Sequence, residues 1–129
     1  MGSKGKGSRN ERELFYLFYE HDWMPLRTAG SGSTPIPAPD LLVGNGKRVL
    51  AIECKTIRGT KKYLEPQQIK ELMIFAEKFG AEPWIAIKFD YQGWFFVKPS
   101  ELEKTKNGMP AISLKNAQQK ALRFQDMVQ

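Results

Sequence analysis

Three residues of this chain have the types and the spacing to act on a phosphate: Asp40, Glu53 and Lys55. They flank Asn45-Gly46, and Asn-Gly between apolar runs is a strong hairpin signal, because a type I′ turn needs positive φ at both central residues. With a two-residue loop, Gly44 pairs with Lys47 and Asp40 falls opposite Ala51. Side chains alternate along a strand, so Ala51, Glu53 and Lys55 share one face, and Asp40 shares it with them. Asp40 and Glu53 then lie on a diagonal, roughly 7–8 Å apart at the backbone. Ile52 and Cys54 point the other way. A four-residue loop keeps this parity, whereas a three-residue loop inverts it.

Two carboxylates and an amine on one sheet face suit metal-assisted phosphodiester chemistry. Mg²⁺ takes oxygen ligands, commonly one or two carboxylates with waters and phosphate oxygens. Such an ion polarises a scissile phosphate or acidifies a bound water. Lys55 beside it would orient that water or stabilise charge developing on phosphorus. The same residues also have plainer uses: Glu-x-Lys on a strand is often a solvated pair, and an Asp ahead of a strand is often a turn residue.

The elements that must position these groups fit one domain. The chain has 129 residues, 41% of them hydrophobic and 26% charged, which suits a single packed core without staples. No apolar run is long enough to span a bilayer and no secretory leader is read at the start, so a cytoplasmic location is expected. A single cysteine, Cys54, excludes an internal disulfide and a Cys-rich zinc site. A single histidine, His21, argues against His-based metal sites and His-activated nucleophiles, which leaves carboxylates as the metal ligands. The formal charge of +6 and the pI near 9.5 favour a polyanionic partner, though the charge alone could serve solubility.

In chain order, residues 1–7 read as a flexible basic tail carrying Lys4 and Lys6, able to lie along a phosphate backbone. Ser8-Arg9-Asn10-Glu11 is a capping-box pattern that predicts a helix start. Leu14, Leu17 and Phe18 follow at helical spacing, with Phe15 and Tyr19 broadening the apolar face. Glu11 is therefore either the reciprocal cap or, beside Arg9 and Arg12, a third acidic ligand. Residues 21–27 predict an edge strand containing Pro25, with Trp23 and Leu26 packed and Arg27 at its end. A loop with Ser31, Ser33, Pro35 and Pro37 runs to Pro39 and delivers Asp40, so either serine could reach a phosphate.

Beyond the hairpin, residues 56–64 read as a basic connection bearing Arg58, Lys61 and Lys62, facing DNA. Glu65-Pro66 predicts the start of a helix and Gly80 its cap. Ile69, Leu72, Met73, Ala76 and Phe79 form its apolar face, with Phe75 at the margin. Gln67 and Gln68 lie in its first turn, where an amide could assist the site, although surface filler is the plainer role for at least one. Residues 83–89 predict a central strand and 93–98 its hairpin partner. Residues 100–104 suggest a helical turn, Asn107-Gly108 a turn, and 116–128 a weakly amphipathic terminal helix.

Pro39-Asp40 followed by Glu53-Cys54-Lys55 resembles the PD-(D/E)xK nuclease superfamily. The wider pattern is more specific. It comprises Lys6-Gly7, Glu11-Arg12-Glu13-Leu14, Arg27-Thr28-Ala29-Gly30-Ser31, Pro39-Asp40-Leu41, Gly44-Asn45-Gly46, Ile52-Glu53-Cys54-Lys55, and Phe75 with Phe79-Gly80. In order and spacing it resembles the archaeal-type Holliday junction resolvases through about Lys98.

The resemblance implies an α/β (α+β) restriction-endonuclease-like mixed central β-sheet flanked by helices, in one nuclease domain over 1–129. It also implies a Mg²⁺-dependent endodeoxyribonuclease, with Mn²⁺ able to substitute, that cuts four-way junction DNA symmetrically as a homodimer. By that resemblance Asp40, Glu53, Glu11 and the Cys54 carbonyl are metal ligands and Lys55 is the catalytic lysine. Arg27 and the serine loop position substrate, with Ser33 ahead of Ser31 as the serine nearest the chemistry. Lys4, Lys6, Arg9, Arg12, Arg27, Ser31, Arg58, Lys61 and Lys62 form the DNA-binding set. Phe75 and Phe79 are dimer-interface aromatics, unless they are the monomer's own core. Two sites related by one axis suit two cuts in a two-fold junction, and a nucleoid-associated location follows. The alternatives are another PD-(D/E)xK repair or restriction-like nuclease, or a non-catalytic DNA-binding module. A sliding clamp or helicase partner has no readable docking peptide here.

Overall fold

A computed structural model describes residues 2–28 and 35–129, with the side chains of its first helix described from Gly7 onward. Ser31 and Ser33 of the expected serine loop, and the side chains of Lys4 and Lys6, lie outside the described residues.

The first helix, α1, spans Gly2–Glu20. It starts six residues ahead of the capping-box pattern, so Ser8 and Glu11 do not cap it. The Gly-Lys run ahead of Ser8 has low helix propensity and no apolar period, which hid the true start. Ser8 lies inside the helix, and its Oγ accepts from the Arg27 guanidinium at 2.7 Å. Leu14 and Phe18 are fully buried, while Tyr19 faces solvent. The first strand, β1, covers Met24–Arg27 rather than 21–27, because the chain turns through Asp22 at φ 70°. Trp23 is buried as expected. Leu26 is not: it is 60% exposed.

Strands β2 (Leu41–Gly44) and β3 (Val49–Ile57) form the hairpin. Its loop is Asn45 to Arg48, since Leu41 pairs with Ile52 and Gly44 with Val49. The expected pairing of Gly44 with Lys47, and of Asp40 with Ala51, is thus shifted by two residues. The physical reason is Asn45, whose Oδ1 accepts from the backbone N–H groups of Lys47 and Arg48 at 2.9 and 2.7 Å. That side chain closes the turn in place of a two-residue type I′ loop. Parity, and with it the face of every side chain, is kept.

The basic connection is more ordered than expected. β3 continues to Ile57, and Lys61–Tyr63 forms a strand, β4. Helix α2 spans Pro66–Phe79, with Pro66 in its first turn and Gly80 in the left-handed region at φ 80°. Strand β5, Glu82–Phe89, runs parallel to β3, and β6, Gly93–Val97, runs antiparallel to β5. A 3-10 turn over Pro99–Glu101 and a two-residue strand β7, Glu103–Lys104, replace the helical turn expected at 100–104. The Asn107-Gly108 turn leads to β8, Pro110–Ser113. The terminal helix expected over 116–128 is instead α3 (Leu114–Lys120), β9 (Leu122–Arg123) and α4 (Phe124–Met127). Tertiary contacts break it: β9 pairs with Phe95 and Phe96, and the Arg123 guanidinium lies 4.0 Å from the Phe95 ring centroid.

Among the described residues the strands form a six-stranded mixed sheet, in the order β1-β2-β3-β5-β6-β9, and a three-stranded sheet, β4-β8-β7. Period-two alternation divides the large sheet between two apolar layers. Ala51, Ile85, Ile87 and Val97 pack with Leu72 and Ala76 of α2, whereas Leu50, Ile52, Trp84 and Ala86 pack with Leu14 and Phe18 of α1. Helix α2 lies over β3 and β5, and towards β1 its layer thins: Leu42 is partly buried and its partner Leu26 is exposed. On α2 itself Met73, Ile74 and Phe79 are exposed, contrary to a fully packed apolar face. No described helix is long and apolar enough to cross a membrane.

Ile85 is fully buried on the central strand, so Ile85→Ala is expected to cost about 2–5 kcal/mol of stability. Tyr91→Ala, at a fully exposed turn residue, should change it by less than about 0.5 kcal/mol. Urea unfolding of both variants beside the parent checks the contrast.

Candidate active site

The β2–β3 register sets the site. Leu41 faces Ile52, so the register carried one step beyond the ladder sets Asp40 opposite Glu53 rather than on a diagonal. Lys55 is two residues beyond Glu53 and shares its face. All three side chains therefore project on the α2 side of the sheet. Cys54 points to the α1 side and packs with that layer. Burial, then the neighbouring carboxylates, push its thiol well above the ordinary range, so the sulfur is not a reactive thiolate.

The Cys54 N–H donates to Asp40 Oδ2 at 2.8 Å. A strand residue's N–H and C=O point to the same edge, so the Cys54 carbonyl is directed to that edge as well. Pairing of β3 with β2 ends at Ile52. The carbonyl therefore faces the Asp40 side without a ladder partner from β2. The backbone around Asp40 is fixed from its other flank, where the Thr28 N–H donates to the Asp40 carbonyl at 3.1 Å and Thr28 Oγ1 donates to the Pro39 carbonyl.

Helix α1 brings a third carboxylate. Glu11 Oε1 lies 3.5 Å from Arg27 Nε, and Arg27 is held in turn by Ser8. Asn10 Nδ2 donates to Thr56 Oγ1 at 2.8 Å, and Glu13 Oε1 accepts from Lys88 Nζ at 2.6 Å and Trp94 Nε1 at 2.8 Å. These contacts fix the helix on both sides of Glu11.

Electrostatically the acids act as one group. Burial, then the charge of Asp40, pushes Glu53 up to about 7, with Glu11 and Glu71 adding to the rise and Lys55 opposing it. Asp40 is raised by burial, against the pull of the Cys54 N–H, Lys55 and Arg27. Glu11 is raised by burial and by Asp40, against Arg27. Lys55 Nζ stands 3.8 Å from Glu53 Oε2, both side chains being less than one-fifth exposed. It donates a shorter bond, 2.7 Å, to Gln68 Oε1. Among the described residues no three acidic, Cys or His side chains form a preformed metal cage. Two neighbouring carboxylates with a backbone carbonyl directed to the same edge are nevertheless the donors a hard divalent cation takes, with water completing its shell. Their mutual repulsion is what such an ion relieves.

The sequence-expected residues thus divide. Glu11, Arg27, Asp40, Glu53, Cys54 and Lys55 come together. Arg9 and Arg12 are exposed on α1, Arg58 follows β3, and Lys61 and Lys62 are exposed on β4. Phe75 and Phe79 stack 5.2 Å apart on α2, Phe75 partly against the core and Phe79 57% exposed. Of the two glutamines only Gln68 reaches the site; Gln67 Nε2 donates to Glu71 at 3.1 Å. Glu71 went unnoticed in the sequence, although its place three residues beyond Gln68 puts it on the same helix face.

Comparisons with known proteins give the family and the fold. The family model described as archaeal Holliday junction resolvase (hjc) matches residues 2–129. A crossover junction endodeoxyribonuclease Hjc of Archaeoglobus fulgidus is 39% identical over 102 residues, covering 79% of this chain and 75% of the relative. Hjc of Methanocaldococcus jannaschii is 39% identical over 94 residues, covering 73% of this chain and 66% of that protein. Hje of Saccharolobus solfataricus is 32% identical over 100 residues, covering 75% and 74%. The crystal structure of Archaeoglobus fulgidus Hjc superposes with a TM-score of 0.87 at 32% identity, covering 95% of this chain and all of that one. The mixed sheet flanked by helices is accordingly a restriction-endonuclease-like fold, and the chain belongs to the archaeal Holliday junction resolvase family.

Proposed function

We propose that the Asp40–Glu53–Lys55 centre hydrolyses backbone phosphodiesters at four-way DNA junctions, one cut per subunit of a homodimer. The family's activity, crossover junction endodeoxyribonuclease, makes the chain a nuclease. The observation that carries the assignment of the centre is the β2–β3 register, which sets two carboxylates face to face with a lysine next on the same face. Asp40, Glu53, the Cys54 carbonyl and Glu11 would hold Mg²⁺, or Mn²⁺ in its place. When bound, the ion supplies Lewis-acid polarisation of the phosphate and a more acidic water.

The chain's own residues do the rest. The Cys54 N–H fixes the orientation of the Asp40 carboxylate. Arg27 holds Glu11 towards the cluster and keeps donors for a phosphate oxygen. The Lys55 ammonium lies where charge develops on the cleaved phosphate, and stabilises it. Arg9, Arg12, Arg58, Lys61 and Lys62 bind flanking phosphates, with Lys4, Lys6 and Ser31 extending that set. Ser33 precedes Asp40 by seven residues in the sequence, and we assign it to substrate positioning. Recognition is of branch shape through phosphates rather than of base edges. Phe75 and Phe79 form the subunit contact, where the exposed ring of Phe79, stacked on Phe75, leaves apolar surface to bury. With junction DNA as its substrate, we assign the enzyme to the nucleoid.

Asp40→Asn and Glu53→Gln are each expected to slow Mg²⁺-dependent nicking of a synthetic four-way junction by at least about 10²-fold, while gel-shift affinity stays near parental. Parental cleavage by Asp40→Asn would sink the site assignment, and equal cutting of linear duplex would remove the junction selectivity. Phe79→Ala should shift the sedimentation profile from dimer to monomer; an unchanged dimer would return the aromatic pair to the monomer's own packing.

The raised Glu53 pKa gives a pH test. Its carboxyl titrates at about 7 when folded, against 4.5 as the ordinary value. Between these limits the folded chain holds a proton that the unfolded chain releases. This contribution to stability is complete below the unfolded value and is lost as pH rises through the folded one. In EDTA, the parent should therefore lose more thermal stability than Glu53→Gln between about pH 5 and about pH 8. Parallel losses would show that Glu53 is not the group held neutral.

A further inference from the structure

We infer that Gln68 is a positioning residue for Lys55, its amide oxygen holding the ammonium in place beside Glu53. The inference rests on the catalytic role proposed for Lys55. Two distances carry it: Lys55 Nζ lies 2.7 Å from Gln68 Oε1 but 3.8 Å from Glu53 Oε2. The ammonium thus makes its close bond to a neutral amide and not to the neighbouring carboxylate. A lysine on a four-carbon stem is free to swing. Beside Glu53 and Asp40 in a partly desolvated site, its default is to pair closely with a carboxylate. That pairing would occupy oxygens the proposed ion needs and turn the ammonium away from the phosphate.

The helix gives the amide a fixed address. Pro66 stands in the first turn of α2, and the Gln68 N–H donates to the Glu65 carbonyl at 3.1 Å. Leu72 and Ala76, one and two turns on, are buried against β3 and β5. The position of Gln68 is therefore set by core packing rather than by its own exposed side chain. Charge explains the residue type. Glu11, Asp40 and Glu71 already bear on Glu53, and a glutamate at position 68 would add another anion, whereas glutamine accepts a hydrogen bond without charge. Gln67, next in the chain, bonds Glu71 instead, so the contact is particular to position 68. A group held to one geometry before the reaction lowers the barrier without strengthening substrate binding.

Single-turnover cleavage of a synthetic four-way junction with Mg²⁺ tests this in the full chain, using Gln68→Met, which keeps the length and removes the acceptor. The expected result is a rate lower by about 10–100-fold, with junction Kd and melting temperature unchanged; Gln68→Ala should behave alike. In a Lys55→Met background the same substitution should have no further effect, because the group it positions is gone. A parental rate for Gln68→Met, a weakened Kd that accounts for the loss, or an equal fold-loss in the Lys55→Met background would each overturn the inference. A parental rate for Lys55→Met alone would instead overturn the assignment of the catalytic lysine on which it rests.

Discussion

Asp40 and Glu53 come together just beyond the end of the β2–β3 ladder, and keeping two like charges there is the constraint on which the site depends. Left to themselves the carboxylates would separate into water. They are held by a register fixed from both faces of the sheet: Leu41, Val43, Leu50 and Ile52 are buried against α1, and Ala51 is buried in the layer beneath α2. A slip of one residue would drive those apolar side chains to the wrong face. It would also turn Glu53 into the apolar layer now occupied by Ile52 and Cys54, at a cost of several kcal/mol for an unpaired charge. Core packing and site geometry thus enforce the same register. The Cys54 N–H and Arg27 then act as fine adjustments, orienting groups the sheet has already brought together.

Much of this was legible because it rests on local rules. Alternation in the run from Val49 to Lys55 assigns faces, and the Asn-Gly pair places the reversal. Pro66 and Gly80 bracket a helix whose backbone needs a fixed φ at one end and a left-handed residue at the other. What stayed hidden depends on contacts distant in sequence. The side chain of Asn45, not the glycine after it, decides the loop length and moves the register by two. Strands β4, β7 and β9 are two or three residues long, too short to show a period. They exist because a partner strand is already in place. Leu26 carries no local sign that α2 stops short of it. Either glutamine at the start of α2 could have met the site from spacing alone, and the choice of Gln68 is made by how the helix rests on β3.

Helix α2 carries more than one role in the proposed enzyme. Its inner residues Leu72 and Ala76 anchor it, its first turn meets Lys55, and its last turns expose the Phe75–Phe79 stack. Positions 68, 75 and 79 are seven and eleven residues apart, so a period of 3.6 sets them along one stripe. One rigid element therefore connects the lysine contact with the surface we assign to the second subunit. Both contacts are thus set by how this one helix is seated on β3 and β5.

The charge distribution poses a problem that the metal reading resolves. The chain is basic overall, at +6, yet Glu11, Asp40, Glu53 and Glu71 concentrate negative charge where a phosphate must arrive. The exposed cations of α1, Arg58 and β4 attract a nucleic acid from a distance, but screening limits their reach to about 8–10 Å at ordinary salt. Inside that range the scissile phosphate would meet the carboxylates directly, and Lys55 and Arg27 together do not balance four of them. Protonating Glu53 would remove some repulsion but would also remove a ligand. A divalent cation neutralises the acids while leaving them in place, and it gives the incoming phosphate a positive surface. In the proposed enzyme the basic rim and the acidic centre are therefore complementary: one would bring the backbone in, and the other would bind the ion that lets it stay.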